Sequence, residues 1–314
     1  MIFGSLCACS RCHSSFENVA RSGKWSRVRL QGLSGRQLRT IVLHFWQRVF
    51  NVKDFGAVAD GIKDDSKAFE TAWREACNWD GIKSAVLVPP GKYLVSFAEF
   101  EGPCKAPISF LLQGFAQAPA GLAKLPDKQS WISFQYLRHF TLSGEGTFHG
   151  QGETACPLNQ CHKNSDCQLP TSIRFNFLND STITGIKSVD SRYFHINILG
   201  CYNLKLNDLK ITAHADSPNT EGIHIGSSNG SEISHSVIAT GDDCVSLGQA
   251  VKIFWCLTSF ADQDMVPSQV KTSNVRFNNI RGTSANKVEG PETTSLCSNV
   301  KPTLFGKQIP ATCV

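Results

Sequence analysis

"NTEGIHIG" (219–226) and, further on, "GDDCVSLG" (241–248) share one frame. Laid over each other they set Glu221 on Asp243, Thr220 on Asp242 and Gly226 on Gly248, an offset of 243 − 221 = 22 residues. Each closes in a small-apolar-x-apolar-Gly strand, and each carries carboxylates at its front edge. A chain that repeats a frame at a fixed interval is stacking like elements on one another.

Working outward, the interval persists. "STITGIKS" (181–188), "LKLNDLKI" (204–211), "SEISHSVI" (231–238) and "VRFNNIR" (275–281) all read apolar, two positions, apolar, with Asn or Gly nearby. Their anchors Ile183, Leu206 and Ile233 are 206 − 183 = 23 and 233 − 206 = 27 residues apart, and "FTLSGEGTFHG" (140–150) is a looser copy. A period in the twenties with several short strands per period marks a solenoid whose rungs are β. A leucine-rich repeat needs a Leu frame and Asn ladder that are absent, and a sandwich has no common interval. The expectation is all-β, a right-handed parallel β-helix in which equivalent side chains line up in ladders along neighbouring strands.

The open end of such a solenoid is an unpaired edge that something must cover. In 49–79, Ala68, Phe69, Ala72, Trp73, Ala76 and Cys77 recur at helical spacing, with Asp65 or Ser66 as N-cap. This predicts an amphipathic helix of about three turns capping the first coil. "SAVLVPPGKYLV" (84–95) follows as strand, Pro-Gly turn, strand. Residues 1–49 fit neither this pattern nor that of a signal peptide and are set apart from a domain at 50–314.

With 314 residues, 41% hydrophobic and 18% charged, the chain has ordinary globular composition. No apolar run is long enough to span a bilayer. A formal charge of +5, without a long basic block, does not call for nucleic acid. Of thirteen cysteines, Cys156, Cys161 and Cys167 crowd a loop-like stretch and Cys297 and Cys313 bracket the tail, positions that suit disulfides and an oxidising destination. "CACSRC" (7–12) lacks the second pair a zinc knuckle needs, so no metal is expected. "NDS" at Asn179 and "NGS" at Asn229 have the form of glycosylation acceptors.

In the repeated frame Glu221 and Asp243 occupy neighbouring rungs with Asp242 beside them, so three carboxylates meet on one patch of wall. Inverting glycoside hydrolysis uses two carboxyl groups about 6.5–9.5 Å apart, one protonated as acid and one charged to activate water. Crowded like charges separate their pKa values, which is how one member keeps its proton. A lone "GDD" is more often a turn or cap, and an acidic cluster also suits calcium; the in-register repeat is what favours a joint site. His224 alternates with Ile223 and Ile225 and lies on the opposite face, towards either the cleft or solvent. His195 reads as a structural hydrogen-bonding residue.

"SPNTEGIHIG" and "TGDDCVSLG" resemble the two signatures of the polygalacturonases, family 28 of the glycoside hydrolases, written SPNTDGI and GDDC. "FNVKDFGAVADGIKDDSKAFETAW", "TSIRFNF", "SRYFHINILGC" and "GKQIPATCV" resemble the plant branch, and the likeness covers about 51–248 and 270–313. It implies a β-helix that hydrolyses α-1,4-galacturonosyl bonds of pectin with inversion and no cofactor, as a secreted monomer of the cell wall. Carried over, Asp242 is the general acid, Asp243 and Glu221 activate water, Asn219 shapes the cleft, and Cys244 matches a disulfide-forming cysteine; from its place on the face opposite Ile223 and Ile225, His224 is taken as a further substrate contact.

The chain departs from the family at several points. Glu221 is one methylene longer than the family's Asp, and His149 stands where "GTFDGQG" is usual. The Gly-His-Gly and Arg-Ile-Lys motifs expected after Gly248, which support the acid and grip the substrate carboxylate, are absent. "QAVKIFWCLTSFADQDMVPSQ" (249–269) stands there without the coil pattern, and Arg281 and Lys287 do not match the missing spacing. Coils are expected to be missing after about 249 and about 287, and the alternative function is a pectin-binding β-helix impaired in catalysis.

Overall fold

A computed structural model describes residues 47–121, 130–155, 169–214, 217, 220–241, 243–261 and 273–277, the last stretch and 253–261 by backbone alone. The strands wind into three walls. The first holds β1 (Gln47–Asn51), β3 (Lys83–Val88), β6 (Ile108–Leu112), β9 (Thr141–Ser143), β12 (Asn179–Thr184), β15 (Tyr202–Asn207) and the front of β18 (Asn229–Ala239). The second holds β2 (Asp60–Asp64), β4 (Lys92–Leu94), β7 (Phe115–Gln117), β10 (Thr147–His149), β13 (Lys187–Val189), β16 (Lys210–Thr212) and the rear of β18. The third holds β5 (Ala98–Glu101), β8 (Ser130–Gln135), β11 (Thr171–Asn176), β14 (Ile196–Leu199), β17 (Ile223–Gly226) and β19 (Val245–Leu247). Every pairing among these strands is parallel and joins one coil to the next.

The anchors stack as the period requires: Leu142 pairs with Ile183, Ile183 with Leu206, and Leu206 with Ile233. Asn and Gly recur near each anchor because the corners demand left-handed backbone, which they adopt at least cost. Asp180, Asn203 and Gly230 have φ of 49°, 52° and 75°, and Gly185, Asp208 and His235 have 67°, 55° and 49°, each set one residue per coil.

The predicted helix is α1 (Ser66–Cys77), which buries Ala68, Phe69, Ala72, Trp73 and Ala76. Trp73 rests on the ring column of the interior, with centroids 5.2 Å from Phe100, 6.0 Å from Phe134 and 5.9 Å from Phe140. Full burial of rings of this size contributes about 2–3 kcal/mol each, so the helix closes the apolar end it covers. Asp65 is the N-cap residue, but its side chain makes no cap bond. Its carboxylate instead accepts from the Val58 and Ala59 N–H groups at 2.8 and 3.1 Å, fixing the preceding turn. Cys77 at the helix end is disulfide-bonded to Cys104, whereas the cysteines singled out above (156, 161, 167, 297 and 313) lie outside the described residues.

Two boundaries shift. β1 begins at Gln47, inside the segment set apart above, and Gln47–Asn51 pairs in register with Lys83–Leu87; residues 1–46 lie outside the described residues. β20 (Lys252–Ala261), in the stretch read as lacking the coil pattern, pairs with β18 from Asn229↔Lys252 to Ala239↔Ala261. Its nearly continuous apolar run hides the period that Asn and Gly reveal elsewhere. β21 (Ser273–Phe277) pairs with β20 in turn.

Candidate active site

The site is built on the front edge of β17 and β19. Ile223 pairs with Val245, His224 with Ser246 and Ile225 with Leu247, the 22-residue offset of the two opening frames. Ahead of the strands, Gly222 N–H donates to Asp243 C=O at 2.8 Å and Ile223 N–H to Cys244 C=O at 3.0 Å. The register therefore runs back to set Glu221 beside Asp243, both half-buried, just ahead of strands about 4.8 Å apart. Asn219 and Asp242 lie outside the described residues.

Both sides of Asp242 are described. Thr220, fully buried, donates its hydroxyl to Ser217 C=O at 3.0 Å and accepts from Gly241 N–H at 3.1 Å. One hydroxyl thus clasps the turn before Glu221 to the turn before Asp242. In the repeated frame Thr220 falls opposite Asp242 without any sign of this role.

Gly222 gives the two turns their close approach. A Cβ there would lie 2.4 Å from Ile238 Cγ2 and 2.5 Å from Cys244 O. Cys244 is buried beneath, with Sγ 3.7 Å from Ile238 O.

His224 points outward on the same strand. Its Nδ1 and Ser246 Oγ are 2.8 Å apart, and its ring stacks on Phe194 at a 5.2 Å centroid distance. Burial holds its pKa below the ordinary histidine value, so the ring is neutral near neutral pH. His195 faces the other way and is fully buried, with Nδ1 2.9 Å from Ser188 Oγ. Burial pushes its pKa down to about 3. Its backbone N–H donates to Glu221 C=O at 2.8 Å, so the turn carrying Glu221 rests directly on it.

Sequence reasoning passed over the loop that leads into His195. Arg192 is buried, and its guanidinium donates to Gly150 O at 2.9 Å, Gly121 O at 3.3 Å and Pro119 O. Tyr193 and Phe194 then stack on each other at 4.1 Å and 10°. The only signal for them was the likeness of "SRYFHINILGC" to a family stretch. His149 is on the second wall, its ring 5.4 Å from that of Phe115 and its Nδ1 accepting from Gln151 N–H at 3.3 Å. Asn179 and Asn229 both stand at the start of first-wall strands, in ladder with Tyr202.

Residues 77–260 match the family described as Glycosyl hydrolases family 28. An exopolygalacturonase of Arabidopsis thaliana is 34% identical over 370 aligned positions, covering 84% of this chain and 82% of that protein. An exopolygalacturonase of Platanus acerifolia is 32% identical over 369, covering 84% and 97%. A polygalacturonase of Gossypium hirsutum is 46% identical over 202 positions, 64% of this chain and 49% of its own, so the chain spans about half of that relative. Because 84% of 314 is about 264 residues, about 106 of the 370 positions aligned with the Arabidopsis protein have no residue of this chain opposite them. Among solved structures, the polygalacturonase from Erwinia carotovora superposes with TM-score 0.61 at 15% identity, over 75% of this chain and 69% of its own. A family 28 exopolygalacturonase of Yersinia enterocolitica gives 0.57 at 17%, over 79% and 56%. The shared fold is the right-handed parallel β-helix that the sequence period predicts.

Proposed function

The chain belongs to family 28 of the glycosyl hydrolases, and from that premise we infer that it hydrolyses α-1,4-galacturonosyl bonds of polygalacturonate, the backbone of pectin, by single displacement with inversion. The observation that carries the reading is the in-register pairing of β17 with β19, which sets Glu221 beside Asp243 at one edge of the third wall.

In this mechanism Asp242 protonates the glycosidic oxygen as the bond to the anomeric carbon breaks. Asp243 and Glu221 take the proton of the water that attacks the opposite face of the sugar. Adjacent rungs fix the backbones about 4.8 Å apart, which puts both carboxylates within reach of one water. Asn219 shapes the cleft, and His224, neutral and held by Ser246, offers a hydrogen bond to a sugar hydroxyl. The Cys77–Cys104 disulfide suits an oxidising compartment and supports secretion to the cell wall.

Reducing ends released from polygalacturonate by the purified chain test the reading. Asp242→Asn is expected to lower the rate by about 10²–10⁴-fold with the fold intact, and proton NMR of the first product is expected to show the inverted anomer. A second reading, a β-helix that binds pectin without turning it over, is favoured by the missing Gly-His-Gly and Arg-Ile-Lys motifs and by the 106 unmatched positions. Saturable binding of oligogalacturonate with no release of reducing ends would select it.

A further inference from the structure

The loop 191–195 is fastened at nearly every residue, yet it turns two aromatic rings outward. Ser191 Oγ is 2.7 Å from Ser172 Oγ and donates to Phe194 C=O at 3.0 Å. Arg192 is locked inside by carbonyls of Pro119, Gly121 and Gly150, which belong to two earlier coils. His195 is tied to Ser188 on the second wall. Between these anchors Tyr193 and Phe194 remain half-exposed, stacked nearly parallel, and Phe194 continues onto the His224 ring.

Their position is set by the ladder. β14 pairs with β17 as Ile196↔Ile223, and the bond from His195 N–H to Glu221 C=O carries that register back, setting Phe194 beside Glu221. The rings thus stand one rung from Glu221 and two from Asp243, on the side of the earlier coils. Farther along the same outward ladder, His224 is followed by Asn197 and then Arg174, half-exposed polar side chains between buried neighbours.

We propose that Tyr193, backed by the Phe194 and His224 rings stacked behind it, is a sugar-binding platform: its outer face takes the apolar C–H face of a hexuronate pyranose next to the cleaved bond, in a chain running along the third wall towards Asn197 and Arg174. Pyranose rings present such a face, and rigid aromatic side chains give contact area at low entropic cost. The loop's internal bonds fix the rings before the ligand arrives, so little ordering is left for binding to oppose. The assignment rests on the polygalacturonate reading above.

Isothermal titration calorimetry of the full chain with hexagalacturonate tests both. Tyr193→Ala and Phe194→Leu are each expected to weaken binding about fivefold to tenfold, while Tyr193→Phe and Phe194→Tyr, which keep the rings, bind like the parent. Melting curves that match the parent's establish that the variants are folded. Binding by the parent that neither Tyr193→Ala nor Phe194→Leu weakens overturns the platform alone, as does an equal loss in the ring-keeping variants. Absence of binding by the parent overturns the polygalacturonate reading with it.

Discussion

Gly222→Ala tests the geometry on which the site depends. Gly222 is not in a left-handed conformation, so an alanine there meets a problem of space and not of backbone strain. The added Cβ would stand 2.5 Å from Cys244 O, where ordinary contact starts at 3.4 Å, so the rungs must part by 3.4 − 2.5 = 0.9 Å. Ile238, 2.4 Å away on the other side and only 1% exposed, cannot retreat. Parting the rungs stretches the bonds from Gly222 and Ile223, now 2.8 and 3.0 Å, beyond useful length. Overpacking costs about 1–3 kcal/mol and two weakened buried bonds about 0.5–1.5 kcal/mol each, so the expected loss is about 2–6 kcal/mol. Urea unfolding followed by far-ultraviolet circular dichroism measures it. Gly226→Ala, at the far end of β17, is the control: its Cβ would meet only Leu199 Cδ1 at 3.7 Å, and it is expected to cost under about 1 kcal/mol. Because a misplacement of about 1 Å in a reacting group lowers rates on the order of a hundredfold, hydrolysis of polygalacturonate should fall similarly. A Gly222→Ala midpoint equal to that of Gly226→Ala would refute the account of how Glu221 and Asp243 are held together.

Replacing Cys77 and Cys104 together by Ser opens a link between residues 27 apart, and loop-closure entropy puts the loss at about 3.5 kcal/mol; thermal melts with and without reductant should show the parent falling to the variant's midpoint. His195, with its folded pKa pushed down to about 3 by burial, makes stability pH-dependent: between its unfolded value near 6.5 and about 3 the unfolded chain binds a proton that the folded chain refuses, so stability falls as pH falls, by up to about 1.4 kcal/mol per unit. His195→Asn, which can still bond Ser188, should flatten urea midpoints between about pH 6 and pH 4, and an unchanged slope would remove His195 from the account. Glu221→Asp shortens the side chain to the length usual in the family, and steady-state assays should show turnover rising on the order of tenfold or more; a fall would mean that this site has been rebuilt around the longer acid.

The period alone determined the wall, the register and the meeting of Glu221 with Asp243. In a parallel solenoid each strand pairs with the strand one coil earlier, so the distance along the chain between equivalent residues is the register itself. Ile183, Leu206 and Ile233, and the offset of 22 residues between the acidic frames, could therefore be read as pairings before any coordinate was known. The covering helix was legible for a similar reason, because its apolar stripe at helical spacing had to meet an open end. β20 escaped because a continuous apolar run has no period to read. Thr220 holding the turn before Asp242, Arg192 reaching carbonyls 73 residues back in the chain, and the ring stack beside Glu221 were decided only in three dimensions. They join loops whose lengths vary from coil to coil, and contacts between such loops follow from how the walls close and leave no spacing in the sequence.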